Sequence, residues 1–231
     1  MSRAMARDVK ATRPDLESDR AFFVAAQLRS TINRVKSAAI HPLWLRLTHW
    51  LNAIAVIILI LSGWRIYNAS PIFSFTIPGS MTIGGWLGGA LQWHFAAMWL
   101  LFANGLLYFA INIFSGRMRT KFFPLRPGDV LRDLAAALRG KLSHEDMRQY
   151  NAVQKLAYLF VMVASVVVVL SGLVVWKSVQ FPLLRTLMGG FDNARIVHFF
   201  AMAGLVGFFV VHVLMVALVP KTFVLMIRGR L

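Results

Sequence analysis

Two histidines within one apolar stretch are the residues of this chain best placed to do chemistry. His198 and His212 lie in residues 195–220, where nearly every other side chain is apolar. In a helix, fourteen residues bring the second histidine back to within about 40° of the first, about 21 Å further along the axis. The hydrocarbon core of a bilayer is about 30 Å thick, so one imidazole would lie toward each membrane face. Imidazole is the commonest metal ligand, and ionisable residues inside a membrane are costly and usually functional.

Four apolar segments must position these side chains. The chain of 231 residues is 58% hydrophobic and 15% charged, with a mean hydropathy of +0.64, which places it among membrane proteins. The segments are each long enough to cross a bilayer as a helix, and we predict them at 43–64, 86–113, 153–176 and 196–219. The expected fold is all-α, a transmembrane four-helix bundle formed by residues 41–231.

The positions of Lys and Arg predict the orientation of this bundle. One basic residue, Arg65, lies between the first two segments. Eight lie between the second and the third: Arg117, Arg119, Lys121, Arg126, Arg132, Arg139, Lys141 and Arg148. Basic loops stay on the cytoplasmic side, so both termini and the middle loop are expected there.

Two polar regions flank or interrupt the spans. Residues 127–147 carry apolar side chains at helical spacing and predict a short amphipathic helix on the cytoplasmic surface: Val130, Leu131, Leu134, Leu138 and Leu142. Residues 1–40 are expected to form a cytoplasmic tail, either partly disordered or with an interfacial helix over 16–36. The net charge of +16 fits contact with anionic lipid better than with nucleic acid.

Depth sorts four of the six histidines into two pairs. His49 begins the first segment and His212 lies near the end of the fourth, both toward the cytoplasm. His94 and His198 lie toward the opposite face. The third segment has no histidine, so we expect it to serve as packing scaffold or as a wall for a substrate pocket.

Two imidazoles at one level suit haem iron better than other metals. The chain has no cysteine, which excludes thiolate sites and covalent c-type haem. Zinc takes three or four protein ligands, whereas a six-coordinate haem iron takes two. We therefore predict two non-covalent b haems, one held by His49 and His212 and the other by His94 and His198. Taken singly, each histidine could instead be a core residue bonded to a carbonyl.

Arginines precede two of these histidines by three residues. Arg46 and Arg195 each lie one turn nearer water than His49 and His198, where a guanidinium could bind a haem propionate. The alternative is an ordinary arginine at a helix end whose charge reaches the interface. His41 precedes Pro42 and is expected to cap the helix, contact a headgroup or bond a quinone.

A faint repeat relates the two halves of the chain. His94-Phe-Ala-Ala-Met98 is similar to His198-Phe-Phe-Ala-Met202, and Leu61-Ser-Gly63 to Leu170-Ser-Gly172. We attribute the Ser-Gly pairs to close helix packing. The predicted spans hold no Asp or Glu, which disfavours a proton pump or an ion-coupled transporter.

These residues resemble a known family. The resemblance rests on Arg46-Leu-Thr-His-Trp50, the first Leu-Ser-Gly, the His94 helix, the run from Tyr150 to Leu156, and two histidines fourteen residues apart. Together they resemble the bacterial cytochrome b561 and nickel-hydrogenase b-type cytochrome family over residues 40–220, and formate dehydrogenase gamma subunits are similar in the same places.

The resemblance implies a di-haem b subunit of the bacterial inner membrane that passes electrons between the quinone pool and a redox partner. It implies His49, His94, His198 and His212 as ligands and a periplasmic molybdenum-cofactor oxidoreductase as partner. A quinone pocket is expected on the cytoplasmic side, near His41, Trp44 and His49.

Two alternatives stay open at this stage. A stand-alone superoxide:quinone oxidoreductase is the first, and a haem-free membrane anchor or transport subunit, whose histidines bridge helices, is the second. The sequence also leaves open whether the chain itself reacts with quinone and whether it forms oligomers.

Overall fold

A computed structural model describes residues 20, 22–27, 29, 40–140 and 150–230, and this part of the chain is helical without strands. Residues 22–27 form a helical turn with exposed side chains, and residues 40–229 form a separate compact unit. In chain order the helices of that unit are α1 (Leu43–Ala69), α2 (Leu87–Phe114), α3 (Arg117–Phe122), α4 (Pro127–Leu138), α5 (Ala152–Trp176), α6 (Pro182–Leu187), α7 (Phe191–Leu218) and α8 (Pro220–Arg228).

Four of these helices, α1, α2, α5 and α7, are long and apolar enough to cross a membrane. The predicted all-α fold with four spanning helices is therefore confirmed. The predicted end of α1 was five residues short, because the helix continues through Arg65 to Ala69. A single charge near the end of a span leaves the backbone hydrogen bonds intact. The chain turns away only where the Asn68 side chain bonds both the N–H and the carbonyl of Ile77, at 2.8 and 2.7 Å.

The start of α7 was likewise predicted five residues too late. The helix begins at Phe191, directly after Gly189 and Gly190, which both have positive φ angles (75° and 105°). Asp192 lies in the first turn, where a carboxylate is favoured by the helix dipole. Hydropathy detects the apolar part of a helix, whereas its ends are set by turn residues and caps.

The spanning helices pack as two hairpins. The backbones of α1 and α2 approach closely along their length, and so do those of α5 and α7. Small buried side chains allow this approach: Ala55, Ala90, Ala97 and Ala164. Between the hairpins the helices make few close backbone approaches, and within α7 only Ala194 is buried. The hairpins therefore face one another across a wider separation than the helices within each.

Side chains and short segments join the hairpins at both ends. At one end an aromatic cluster links the loop after α1 to α7, through Tyr67, Phe73, Phe75, Phe199 and Phe200. At the other end α8 folds back, so that Gly229 O accepts from the Ile40 and His41 N–H groups. Gly229 has φ 78°, and a Cβ there would lie 2.8 Å from His41 O, so this return requires glycine.

The predicted amphipathic helix of the middle loop is α4. It begins with Pro127 at its first turn and ends at Leu138, before Gly140 with its positive φ. Residues 141–149, including the predicted positions Leu142 and His144, lie outside the described residues. An Asp133 carboxylate oxygen accepts from Ala152 N at 2.8 Å, which ties α4 to the start of α5. The predicted tail over residues 1–40 stays a prediction.

Asn104 provides a test of hairpin packing. It is 5% exposed, and its Nδ2 donates to Thr48 O and Asn52 Oδ1, each at 2.7 Å across the α1–α2 interface. We expect Asn104→Ala to lower the free energy of unfolding by about 1 kcal/mol, the scale of hydrogen bonds between membrane helices. Reversible unfolding of the purified protein in mixed micelles measures this.

The matched control is Asn112→Ala. Asn112 is equally buried, at 2% exposed, but its Nδ2 bonds Tyr108 O within α2 itself. An Asn104→Ala variant no less stable than Asn112→Ala would contradict a role for Asn104 in joining the two helices.

Candidate functional site

Two histidine pairs lie between the hairpins, and in each pair a ring from one hairpin lies opposite a ring from the other. The ring centroids of His49 in α1 and His212 in α7 are 6.0 Å apart. Those of His94 in α2 and His198, also in α7, are 6.5 Å apart. The structure thus brings together the two pairs that depth predicted, with α7 contributing one ring to each. Proximity does not test what the rings bind, so haem ligation stays a prediction.

The separation of the rings fits a metal ion between them. An ion bound to one nitrogen of each ring, through bonds of about 2.0 Å, would place the centroids about 6.3 Å apart. The distances of 6.0 and 6.5 Å lie on either side of this value. In residues 40–140 and 150–230, no three His, Asp or Glu side chains cluster as a metal site. The donor set at each level is therefore two opposed imidazoles, which suits haem iron.

The protonation of His198 follows from its hydrogen bonds. Its Nδ1 lies 3.0 Å from Val168 O and 3.1 Å from Ser171 Oγ, both on α5. A carbonyl oxygen can only accept, so Nδ1 carries the proton and donates it. The other nitrogen, Nε2, then holds a free lone pair, which is the form that binds a metal.

His94 has an equivalent serine contact in the first hairpin. Its Nδ1 lies 3.0 Å from Ser62 Oγ on α1. Glycine follows each serine, and a Cβ at Gly63 would meet His94 Cε1 at 3.4 Å. In the second hairpin, a Cβ at Gly172 would come within 3.2 Å of the corresponding atom of His198. The two Ser-Gly pairs thus form equivalent contacts with equivalent histidines.

Sequence reasoning missed this role of Ser62 and Ser171. It attributed the Ser-Gly pairs to close packing, and it expected the third span, which is α5, to serve as scaffold or pocket wall. The structure shows that α5 also holds a histidine of α7 through Ser171 and Val168. The signal that could have found these serines was the repeat itself, because each half has one Ser-Gly pair and one His-Phe-x-Ala-Met segment.

The other histidine pair has aromatic neighbours. The His49 ring lies edge-on to Trp50, with centroids 5.4 Å apart. His212 is stacked on Phe208 at 5.6 Å, with 17° between the ring planes. The two levels therefore differ in what surrounds the imidazoles.

The two candidate propionate-binding arginines both contact backbone carbonyls. Arg195 Nη2 donates to Ser70 O at 2.6 Å, and Arg46 Nη1 donates to Ile227 O. A guanidinium has five N–H donors, so these bonds leave others available. Arg46 Nε is buried and has no hydrogen-bond partner in the described part of the chain. The propionate role of both arginines stays a prediction.

The residues expected near a quinone lie at the His49 end. The Trp44 ring has the Arg117 guanidinium over it, 5.5 Å from its centroid, and Tyr108 lies 6.3 Å away. Burial lowers the pKa of His41, and the nearby charges of Arg117 and Arg46 lower it further. Both effects favour the neutral ring, which can donate and accept a hydrogen bond. Quinone binding here stays a prediction.

Comparison with known proteins identifies the family of this chain. The sequence profile of the family described as "Prokaryotic cytochrome b561" matches residues 40–229. A protein of Azospira oryzae named "Putative protein-methionine-sulfoxide reductase subunit YedZ1" is 64% identical over 191 residues, which cover 83% of this chain and 96% of the relative. The chain is thus a multi-pass membrane protein of the prokaryotic cytochrome b561 family, and this membership implies a b-type haem.

Proposed function

We propose that the chain is a di-haem b-type cytochrome that relays electrons between the quinone pool and a redox partner outside the bacterial inner membrane. The observation that carries this proposal is the presence of two opposed histidine pairs, at 6.0 and 6.5 Å, on opposite ends of one helix. Family membership implies b-type haem. The proposed number of haems, two per chain, is inferred from the two histidine pairs.

Each part of the protein has a distinct task in this proposal. His49 and His212 hold one iron, and His94 and His198 hold the other. When bound, haem supplies the one-electron chemistry. The spacing of the α7 histidines sets the two levels about 21 Å apart along the axis, and the surrounding apolar helices keep water from the ligands. Arg46 and Arg195 are proposed to neutralise propionates at the two ends.

The partner is proposed from the relative. The name of the Azospira oryzae protein assigns it to a protein-methionine-sulfoxide reductase, of which it is a subunit. The high identity over nearly the whole relative supports the same assembly for this chain. We propose that the catalytic subunit is a periplasmic molybdenum-cofactor enzyme that docks at the His94 and His198 end. The relative's name favours this over a stand-alone superoxide:quinone oxidoreductase.

The histidine ligands can be tested by counting haems. We expect His212→Ala to lose the haem at one level and His198→Ala the haem at the other, because each iron would lose one of its two axial ligands. The pyridine haemochrome assay on purified protein should fall from two haems per chain to one in each variant. His41→Ala is the control and should keep both. If either ligand variant kept both haems, the proposed pairing would be wrong.

The orientation can be tested by labelling, because the chain has no cysteine of its own. Ser80→Cys lies in the exposed loop between α1 and α2, and Ser115→Cys in the exposed turn after α2. In intact spheroplasts an impermeant maleimide should label the first variant and not the second, and after lysis it should label both. The reverse pattern would place the termini outside the cell.

The quinone pocket can be tested by kinetics. We expect Trp44→Leu and His41→Ala to keep both haems and to slow reoxidation of the reduced protein by a short-chain quinone roughly tenfold, which corresponds to about 1.4 kcal/mol. Stopped-flow absorbance measures the rate. Trp93→Leu is the control, since Trp93 lies exposed beside His94 at the opposite end. Unchanged rates in both pocket variants would exclude this position for the quinone.

A further inference from the structure

Two buried hydroxyl groups, those of Ser62 and Ser171, contact the Nδ1 atoms of the candidate ligands His94 and His198. Both serines are 0% exposed. Ser62 donates its own proton to Ile58 O at 2.6 Å, and Ser171 donates to Val167 O at 2.7 Å. A hydroxyl has one proton, so each oxygen is left to accept the Nδ1–H of its histidine.

Each imidazole proton therefore has an acceptor on one neighbouring helix. His198 Nδ1–H has the Val168 carbonyl at 3.0 Å and Ser171 Oγ at 3.1 Å. His94 Nδ1 lies 3.0 Å from Ser62 Oγ. Such partners fix the orientation and tautomer of a metal-binding histidine and make its other nitrogen more basic.

The second level lacks this arrangement among the described residues. There His49 and His212 contact the rings of Trp50 and Phe208 and each other. Hydrogen bonding around an axial ligand is one of the means by which a protein sets a haem potential. A more basic ligand stabilises the oxidised iron, so the two levels should differ in midpoint potential.

We propose that Ser62 and Ser171 are positioning residues that hold His94 and His198 by their Nδ1 protons and lower the midpoint potential of the haem at that level. This inference rests on the proposed di-haem function. It assigns a task to both Ser-Gly pairs and to α5, which has no histidine of its own.

The test uses the full chain purified with its haems, as Ser62→Ala, Ser171→Ala and the double variant. Alanine is the best helix former, and each serine hydroxyl otherwise bonds only its own helix, so folding should survive. Potentiometric titration of the haem absorbance should show two one-electron steps. In the double variant the midpoint potential of the haem at the His94 and His198 level should rise by about 59 mV, which corresponds to a tenfold change in the redox equilibrium. The other midpoint potential should stay unchanged.

Two controls assign this shift. Ser115→Ala removes a hydroxyl that bonds the Ile111 carbonyl at the end of α2, and it should move neither midpoint potential. The double serine change made in a His212→Ala background should still shift the remaining haem. Loss of only the haem at the His94 and His198 level would also support the proposal, because removing such partners weakens metal binding about 10- to 100-fold.

Other results would overturn the proposal. Unchanged midpoints with both haems bound would show that the serines only pack helices, and a shift at the His49 and His212 level would place their effect elsewhere. Loss of both haems together would indicate a general packing role. Failure of the underlying function looks different, because the unmodified protein would then contain fewer than two haems.

Discussion

The arrangement depends on one helix presenting two imidazoles to two different partners. His198 and His212 are fourteen residues apart on α7, a spacing that keeps them on nearly one face and at opposite ends of a span. His94 meets the first and His49 the second, at 6.5 and 6.0 Å. If α7 rotated by one residue, about 100°, both pairs would separate together. The other spanning helices therefore have to fix the rotation of α7 as well as its position.

The hairpin organisation provides that fixation. Small buried residues bring α5 close to α7. Ser171 Oγ and Val168 O of α5 then accept the hydrogen bond of His198 Nδ1. Ser62 of α1 does the same for His94 of α2. In each hairpin one helix carries a candidate ligand, His94 or His198, and the other carries the serine that contacts its ring. The two hairpins lie further apart, and the centroids of the opposed rings are 6.0 and 6.5 Å apart, a separation that would admit a metal ion between them.

The spans and the histidine pairs could be predicted from the sequence because both depend on distance along a helix axis. Hydropathy locates α7, and counting residues from its ends gives the depths of His198 and His212. Rotation of one helix against another cannot be read in the same way, so the bonds from Ser62 and Ser171 were missed although the Ser-Gly repeat was visible. The extension of α1 past Arg65 was missed because its end depends on Asn68 bonding to Ile77, nine residues away. The bond from Arg195 to Ser70 joins residues 125 positions apart, and no local pattern indicates it.

The most direct test of the central claim is the ratio of haem to polypeptide in the purified, unmodified chain, together with its reduced-minus-oxidised spectrum. Two opposed imidazole pairs predict two b-type haems per chain, both low-spin with two histidine ligands. An unmodified chain that binds no haem, or only one, would contradict the account.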